Sequence, residues 1–152
     1  MHIGYDIDGV LTKRDYTSVS RLGVRGVFAL LQKYFPKVIE TWTLNQSLQD
    51  DIEIARKIAS RHKISIITAR PEFMYPYTRQ WLKNIANIEY DDLYCVGLRN
   101  GFSERKLKLA QDLEIDIFLD DTLETIELFQ ANRINAHKFE TWKEAQLYFE
   151  KL

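Results

Sequence analysis

The sequence predicts an α/β fold on a central parallel sheet, and three observations carry that expectation. Short apolar runs alternate with helical patterns along all 152 residues. A helical pattern from about Leu48 to Arg61 passes directly into the apolar run Ile64-Ser65-Ile66-Ile67. Apolar runs also end repeatedly on polar groups, at Asp6 and Asp8, at Thr68, and at Asp120-Asp121. Strands that alternate with helices are joined by crossovers, which is the rhythm of a parallel sheet.

Taken in order, a first strand is expected over residues 2 to 6, followed by a turn at Gly9. Residues 12 to 47 form a helical excursion, in which Val24, Val27, Phe28, Leu30 and Leu31 supply an amphipathic face that Pro36 closes. Ile52, Ala55, Ile58 and Ala59 are the core stripe of the next helix. The second strand ends at Thr68-Ala69-Arg70-Pro71, and past Pro76, Thr78 is placed to cap a helix carrying Trp81, Leu82 and Ile85. A third strand fits Leu93 to Val96, with Gly101 as the break and Ser103 as N-cap of a helix bearing Leu107, Leu109, Ala110 and Leu113. The fourth strand is expected over 115 to 119, a helix over 123 to 130, a last strand over 133 to 136 and a terminal helix over 141 to 152. No linker or repeat interrupts this order, so residues 1 to 152 read as one domain.

Composition narrows the function. Hydrophobic content is 45%, charged content 28% and formal net charge -1, as expected of an ordered globule without a broad basic field. Such a balance favours a small substrate or a local contact over a long nucleic acid, and leaves room for a single nucleotide. A single cysteine, Cys95, and three separated histidines give little basis for a zinc cluster; Cys95 reads as a small buried hydrophobe. With no signal segment or membrane span visible, a cytoplasmic location is the default expectation. The glycines match neither a P-loop nor a dinucleotide fingerprint, which disfavours kinase and dehydrogenase chemistry. Tyr16, Trp42, Tyr75 and Tyr77 lie in segments that could border a pocket, while Trp81 reads as core.

Side chains at i and i+2 of a strand share a face, so Asp6 and Asp8 emerge together where the first strand ends. Such like charges repel unless a cation sits among them. Magnesium (Mg2+) suits the pair, because it takes carboxylate oxygens together with phosphate and water. Asp6 can then attack phosphorus, and Asp8 can protonate the leaving oxygen and later deprotonate water. The plainer alternative is that the two aspartates cap a turn. Thr68 can direct its hydroxyl at a phosphate oxygen or serve as a turn residue. Arg70 is placed either to contact phosphate or to form an exposed ion pair. Lys106 can offset phosphate charge and orient the nucleophile, with Arg105 and Lys108 as neighbouring alternatives. Asp120 completes a metal site, while Asp121 binds a metal water or holds Lys106.

These residues resemble the motifs of the haloacid-dehalogenase superfamily of phosphohydrolases. The first motif matches Asp6-Ile7-Asp8-Gly9-Val10-Leu11-Thr12, the second Ile66-Ile67-Thr68, the third Lys106 and the fourth Asp120-Asp121. The resemblance implies a Rossmannoid three-layer sandwich with a reduced helical cap over roughly 12 to 47. It also implies Asp6 as nucleophile, Asp8 as acid/base, Thr68 and Lys106 as orienters, Asp120 as a magnesium ligand, and the Ile7 carbonyl as a further ligand. Thr68-Ala69-Arg70, Thr78-Arg79-Gln80-Trp81-Leu82 and Tyr90-Asp91-Asp92-Leu93 are similar to small bacterial and phage nucleotidase-like members. Phosphoryl transfer to another acceptor, or phosphate binding without turnover, are the competing functions.

Overall fold

The computed structural model describes residues 1–13, 36–97 and 100–150. Five parallel strands form one sheet: β1 (His2–Tyr5), β2 (Lys63–Thr68), β3 (Asp92–Cys95), β4 (Ile117–Asp120) and β5 (Asn135–Lys138), in the order β3-β2-β1-β4-β5. Registers Tyr5↔Ile66, Tyr5↔Leu119, Thr68↔Cys95 and Asp120↔Lys138 bring the carboxyl ends of the strands to one edge. Successive strands run outward from β1 on one side, and the chain then returns to β4 on the other. Ligands of open parallel sheets bind in the crevice at that reversal. Here it lies between the ends of β1 and β4.

The six helices are α1 (Pro36–Leu44), α2 (Ile52–Ala59), α3 (Tyr75–Trp81), α4 (Phe102–Asp112), α5 (Leu123–Ala131) and α6 (Trp142–Phe149) among the described residues. Residues from α2, α3 and α6 pack with Ile3, Tyr5, Ile64 and Ile66 on one face of the sheet. Residues from α4 and α5 pack with Ile67 and Phe118 on the other, which makes the three-layer sandwich. Both faces are covered, so β1 is buried along its whole length. The Phe118 ring fills the space that a side chain at position 4 would need: a Cβ on Gly4 would stand 2.2 Å from it.

Four boundaries differ from the sequence expectation for identifiable reasons. The helix expected to begin at Thr78 begins at Tyr75, because Pro76 occupies its first turn, where a missing N–H costs nothing. Thr78 is therefore buried inside α3. Gly101, with φ 77°, is the N-cap of α4, and Ser103 instead turns inward to meet Thr125 at 3.0 Å. Left-handed residues Glu114 and Arg133 follow the ends of α4 and α5 and delay β4 and β5 by two residues each. The helical face at 24 to 31, and with it the boundary expected at Pro36, lies outside the described residues, which resume with α1.

Candidate active site at the sheet's reversal point

Asp6 follows β1 directly, and its N–H donates to the Leu119 carbonyl at 2.9 Å, fixing it against β4. The chain then folds into a tight turn. The Ile7 carbonyl accepts from the N–H groups of Val10, Leu11 and Thr12 at 3.2, 2.8 and 3.0 Å, and from the Thr12 hydroxyl at 3.4 Å. Gly9 has φ 95°, and a Cβ there would lie 1.9 Å from Asp121 Oδ2. Glycine is required on both counts: the backbone is left-handed, and the turn packs directly on the Asp121 carboxylate.

Lys106 joins the first and fourth strand ends. It shares one helix stripe with Ser103, Leu107 and Ala110, all buried, so the same spacing that seals α4 onto the sheet carries an ammonium inward. Its Nζ stands 3.0 Å from Asp6 Oδ2 and 2.7 Å from Asp120 Oδ2. Asp120 Oδ1 accepts from the Thr122 N–H at 2.8 Å. Asp6 Oδ1 is the contrast: buried, it has no hydrogen-bond partner. One oxygen each of Asp6, Asp120 and Asp121 lie within 4.8 Å of one another. A hard cation takes carboxylate oxygens of this kind, and the unpartnered Asp6 oxygen is one that it would satisfy. These three residues fit magnesium.

Burial pushes the Asp6 carboxyl up to about 7; the Lys106 charge opposes the rise, while Asp120 and Asp8 add to it. Burial alone would lower the Lys106 ammonium, but the charges of Asp6 and Asp120 and their hydrogen bonds hold it above its ordinary value. The folded protein therefore keeps a proton on Asp6 that the unfolded chain has released. Its stability should fall as pH rises from the ordinary value of 3.8 toward about 7, with the loss complete above that. Magnesium competes with the same proton. The thermal shift produced by Mg2+ is expected to be larger at pH 8 than at pH 6, and the difference should vanish in Asp6→Asn. Melting curves at the two pH values, with and without the metal, measure it.

Asp8 has a different environment. Arg70 grips both of its oxygens, Nε to Oδ2 at 2.9 Å and Nη2 to Oδ1 at 2.6 Å. Burial works to raise the Asp8 carboxyl, but the Arg70 charge and hydrogen bonds, helped by Lys106 and the Thr12 hydroxyl, hold it below the usual value. Arg70 does form an ion pair, and a half-buried one: its own side chain is 3% exposed, Asp8's 44%. Of the other residues expected to hold a metal, Asp8 is engaged by arginine and the Ile7 carbonyl accepts within its own turn.

Thr68 is buried at the end of β2, and its hydroxyl accepts the Arg70 N–H at 3.3 Å. The choice among three neighbouring cations is resolved by packing. Arg105 donates to the carbonyls of Val96, Gly97 and Asn100, tying down that loop. Lys108 pairs with Asp112 at the surface. Lys106 alone of the three reaches the acids. Trp81 is fully buried, as expected, while Tyr75 is exposed and Trp42 and Tyr77 are half-buried; Tyr16 lies outside the described residues. Cys95 is half-buried, and burial pushes its thiol up to about 11, far from a reactive thiolate at neutral pH.

Two contacts at the candidate site were not visible in the sequence, Arg70 as the partner of Asp8 and Gln46 as an acceptor for Arg70 Nη2. Arg70 follows Thr68 by two residues, and that proximity to a strand end was the available signal. Gln46 carried none, because its contact is made across 24 residues.

No protein-family model matches the sequence, and no curated protein matches it. Solved structures do match in fold. A hydrolase from Streptococcus pneumoniae TIGR4 superposes with a TM-score of 0.64 at 16% identity, covering 98% of this chain and 97% of that one. A HAD family enzyme from Bacteroides thetaiotaomicron, in complex with magnesium and inorganic phosphate, gives 0.63 at 12% identity, covering 92% and 94%. A HAD-superfamily hydrolase from Ehrlichia chaffeensis gives 0.57 at 14% identity, covering 99% and 96%. The parallel sheet, its strand order and these superpositions together show that the chain has the fold of the haloacid-dehalogenase superfamily hydrolases.

Proposed function

We propose that this chain is a magnesium-dependent phosphomonoester hydrolase working through an aspartyl-phosphate on Asp6. The observation that carries the reading is the buried Lys106 ammonium set between Asp6 and Asp120, beside an Asp6 oxygen with no partner of its own. Such an arrangement charges and aims a nucleophile while leaving one oxygen open. Magnesium, held by Asp6, Asp120 and Asp121, would supply Lewis acidity and offset phosphate charge.

In this reading an Asp6 oxygen bonds to phosphorus as the bond from phosphorus to the leaving oxygen breaks. Asp8, which Arg70 holds ionised in this structure, would have to be released from that fork to carry a proton to the leaving oxygen. Asp8 then takes a proton from water, whose oxygen attacks the same phosphorus, releasing inorganic phosphate and restoring Asp6. Lys106 orients Asp6 and balances charge as it builds around phosphorus. The Thr68 hydroxyl, which accepts from a backbone N–H, still has its own proton to donate to a phosphate oxygen. Arg70 is better read as the group that orients Asp8 than as a free phosphate ligand, since its fork is already filled.

The substrate is a small phosphorylated metabolite, with a nucleotide as one candidate, and the cytoplasm is the proposed location. No helix among the described residues is long and apolar enough to cross a membrane. The excursion over 12 to 47 is read as a reduced cap, of which α1 is the described part. Phosphorylated sugars, nucleotides, amino acids and polynucleotide ends, assayed for phosphate release with and without Mg2+, test the reading. Metal-dependent release from at least one class is expected. Transfer to an added alcohol in place of water would make the chain a phosphotransferase, and binding without release would make it a phosphate-binding module.

A further inference from the structure

Two of the helices open on a threonine, and the chain uses the two differently. Thr141 precedes α6, and its hydroxyl accepts the Glu144 N–H at 3.2 Å, the usual service of a threonine at that position. Thr122 precedes α5 in the same way: its backbone is extended, with φ -94° and ψ 115°, and its carbonyl accepts a first helical bond from the Ile126 N–H at 3.2 Å. Its hydroxyl, however, makes no bond to the open N–H groups of α5. It donates to Asp121 Oδ1 at 3.3 Å.

That choice bears on the acids. The Thr122 N–H donates to Asp120 Oδ1 at 2.8 Å, so one residue holds an oxygen of each of two neighbouring carboxylates. The second Asp121 oxygen, Oδ2, lies against Gly9, where a Cβ would stand 1.9 Å from it. Asp121 is thereby set on both sides, by a hydroxyl at one oxygen and by bare backbone at the other. Neighbouring side chains of an extended segment point apart. For Asp120 and Asp121 to join Asp6 in one group, the chain has to turn at the end of β4, and the second carboxylate has to be held once it has turned. Thr122 is where that hold is made.

We propose that Thr122 is a positioning residue for the metal: its hydroxyl fixes the Asp121 carboxylate for Mg2+ and leaves α5 without a side-chain cap. The inference rests on the reading of Asp6, Asp120 and Asp121 as magnesium ligands. Partners that hydrogen-bond a ligating carboxylate fix its direction, and an acid already held loses less side-chain freedom when the ion arrives. Magnesium tolerates little error in the placing of its oxygens, which makes the hold count.

Magnesium titrations by calorimetry, together with urea midpoints in chelator, separate this role from a cap's. Thr122→Val removes the hydroxyl, keeps the branched side chain and leaves the N–H on Asp120. It is expected to weaken Mg2+ binding about tenfold, at the low end of the losses seen for such partners of metal ligands, with a midpoint in chelator close to that of the wild type. Thr122→Ser, which keeps a hydroxyl, should bind like the wild type, and Thr122→Ala replaces the valine variant if that does not fold. Thr141→Val should show the opposite signature, a lower midpoint and unchanged Mg2+ affinity. If Thr122→Val lowers the midpoint as Thr141→Val does, or leaves the Mg2+ affinity unchanged, the proposal is overturned. Asp121→Ala keeps it distinct from the reading on which it rests. Magnesium bound as tightly by that variant as by the wild type, or by neither, removes Asp121 as a ligand and Thr122's role with it; weaker binding in Asp121→Ala but not in Thr122→Val removes Thr122 alone.

Discussion

Asp6→Asn is expected to abolish turnover, lowering kcat by about 10⁴-fold or more, on the scale of losses seen when a nucleophile is removed. An amide does not attack phosphorus, and it would bring no negative charge to a cation held with Asp120 and Asp121. The fold should survive. Asp6 is a buried carboxyl whose ionised form is disfavoured, so an uncharged isostere relieves charge crowding. Single-turnover assays with a phosphorylated substrate found in the panel, together with a melting curve, check both halves. Multiple-turnover activity near that of the wild type in a verified Asp6→Asn preparation would remove Asp6 from the mechanism.

The second large effect is on stability. Lys106→Met replaces an ammonium that is 1% exposed and leaves Asp6 and Asp120 buried around a thioether. Removing one partner of a buried ionic group while the others stay is strongly destabilising, about 3–5 kcal/mol. Some of that is recovered when Asp6 takes up a proton, and more when a divalent cation enters. Denaturant midpoints measured in chelator should therefore drop sharply for Lys106→Met, and saturating Mg2+ should close part of the gap. A variant as stable as the wild type without metal would show that the ammonium is not what holds the two acids together.

Much of the frame was legible because each strand announces its end. β1, β2 and β4 pass from apolar runs to Asp6, Thr68 and Asp120, and a parallel sheet gathers such ends on one edge. Lys106 was legible too, being a cation on the stripe shared with Leu107 and Ala110. The choice between it and Arg105 or Lys108 required knowing which face of α4 meets the sheet. Element starts were less legible. Thr78 resembles an N-cap, but Pro76 pre-sets the first turn earlier, and tertiary contact with Arg70 takes the threonine hydroxyl. The Arg70 and Gln46 contacts are long-range, and nothing in local periodicity encodes a partner 62 or 24 residues away. The acidic cluster was legible as far as Asp6, Asp120 and Asp121 stand where apolar runs end. That the Asp8 carboxylate meets arginine depends on how the turn after Asp6 closes.

The Trp142 indole N–H donates to the Val10 carbonyl at 3.1 Å, across 132 residues. The turn after Asp6 is thus buttressed by a helix from a distant part of the sequence. Cutting the chain before residue 142 would therefore unsettle the candidate site while removing none of its acids.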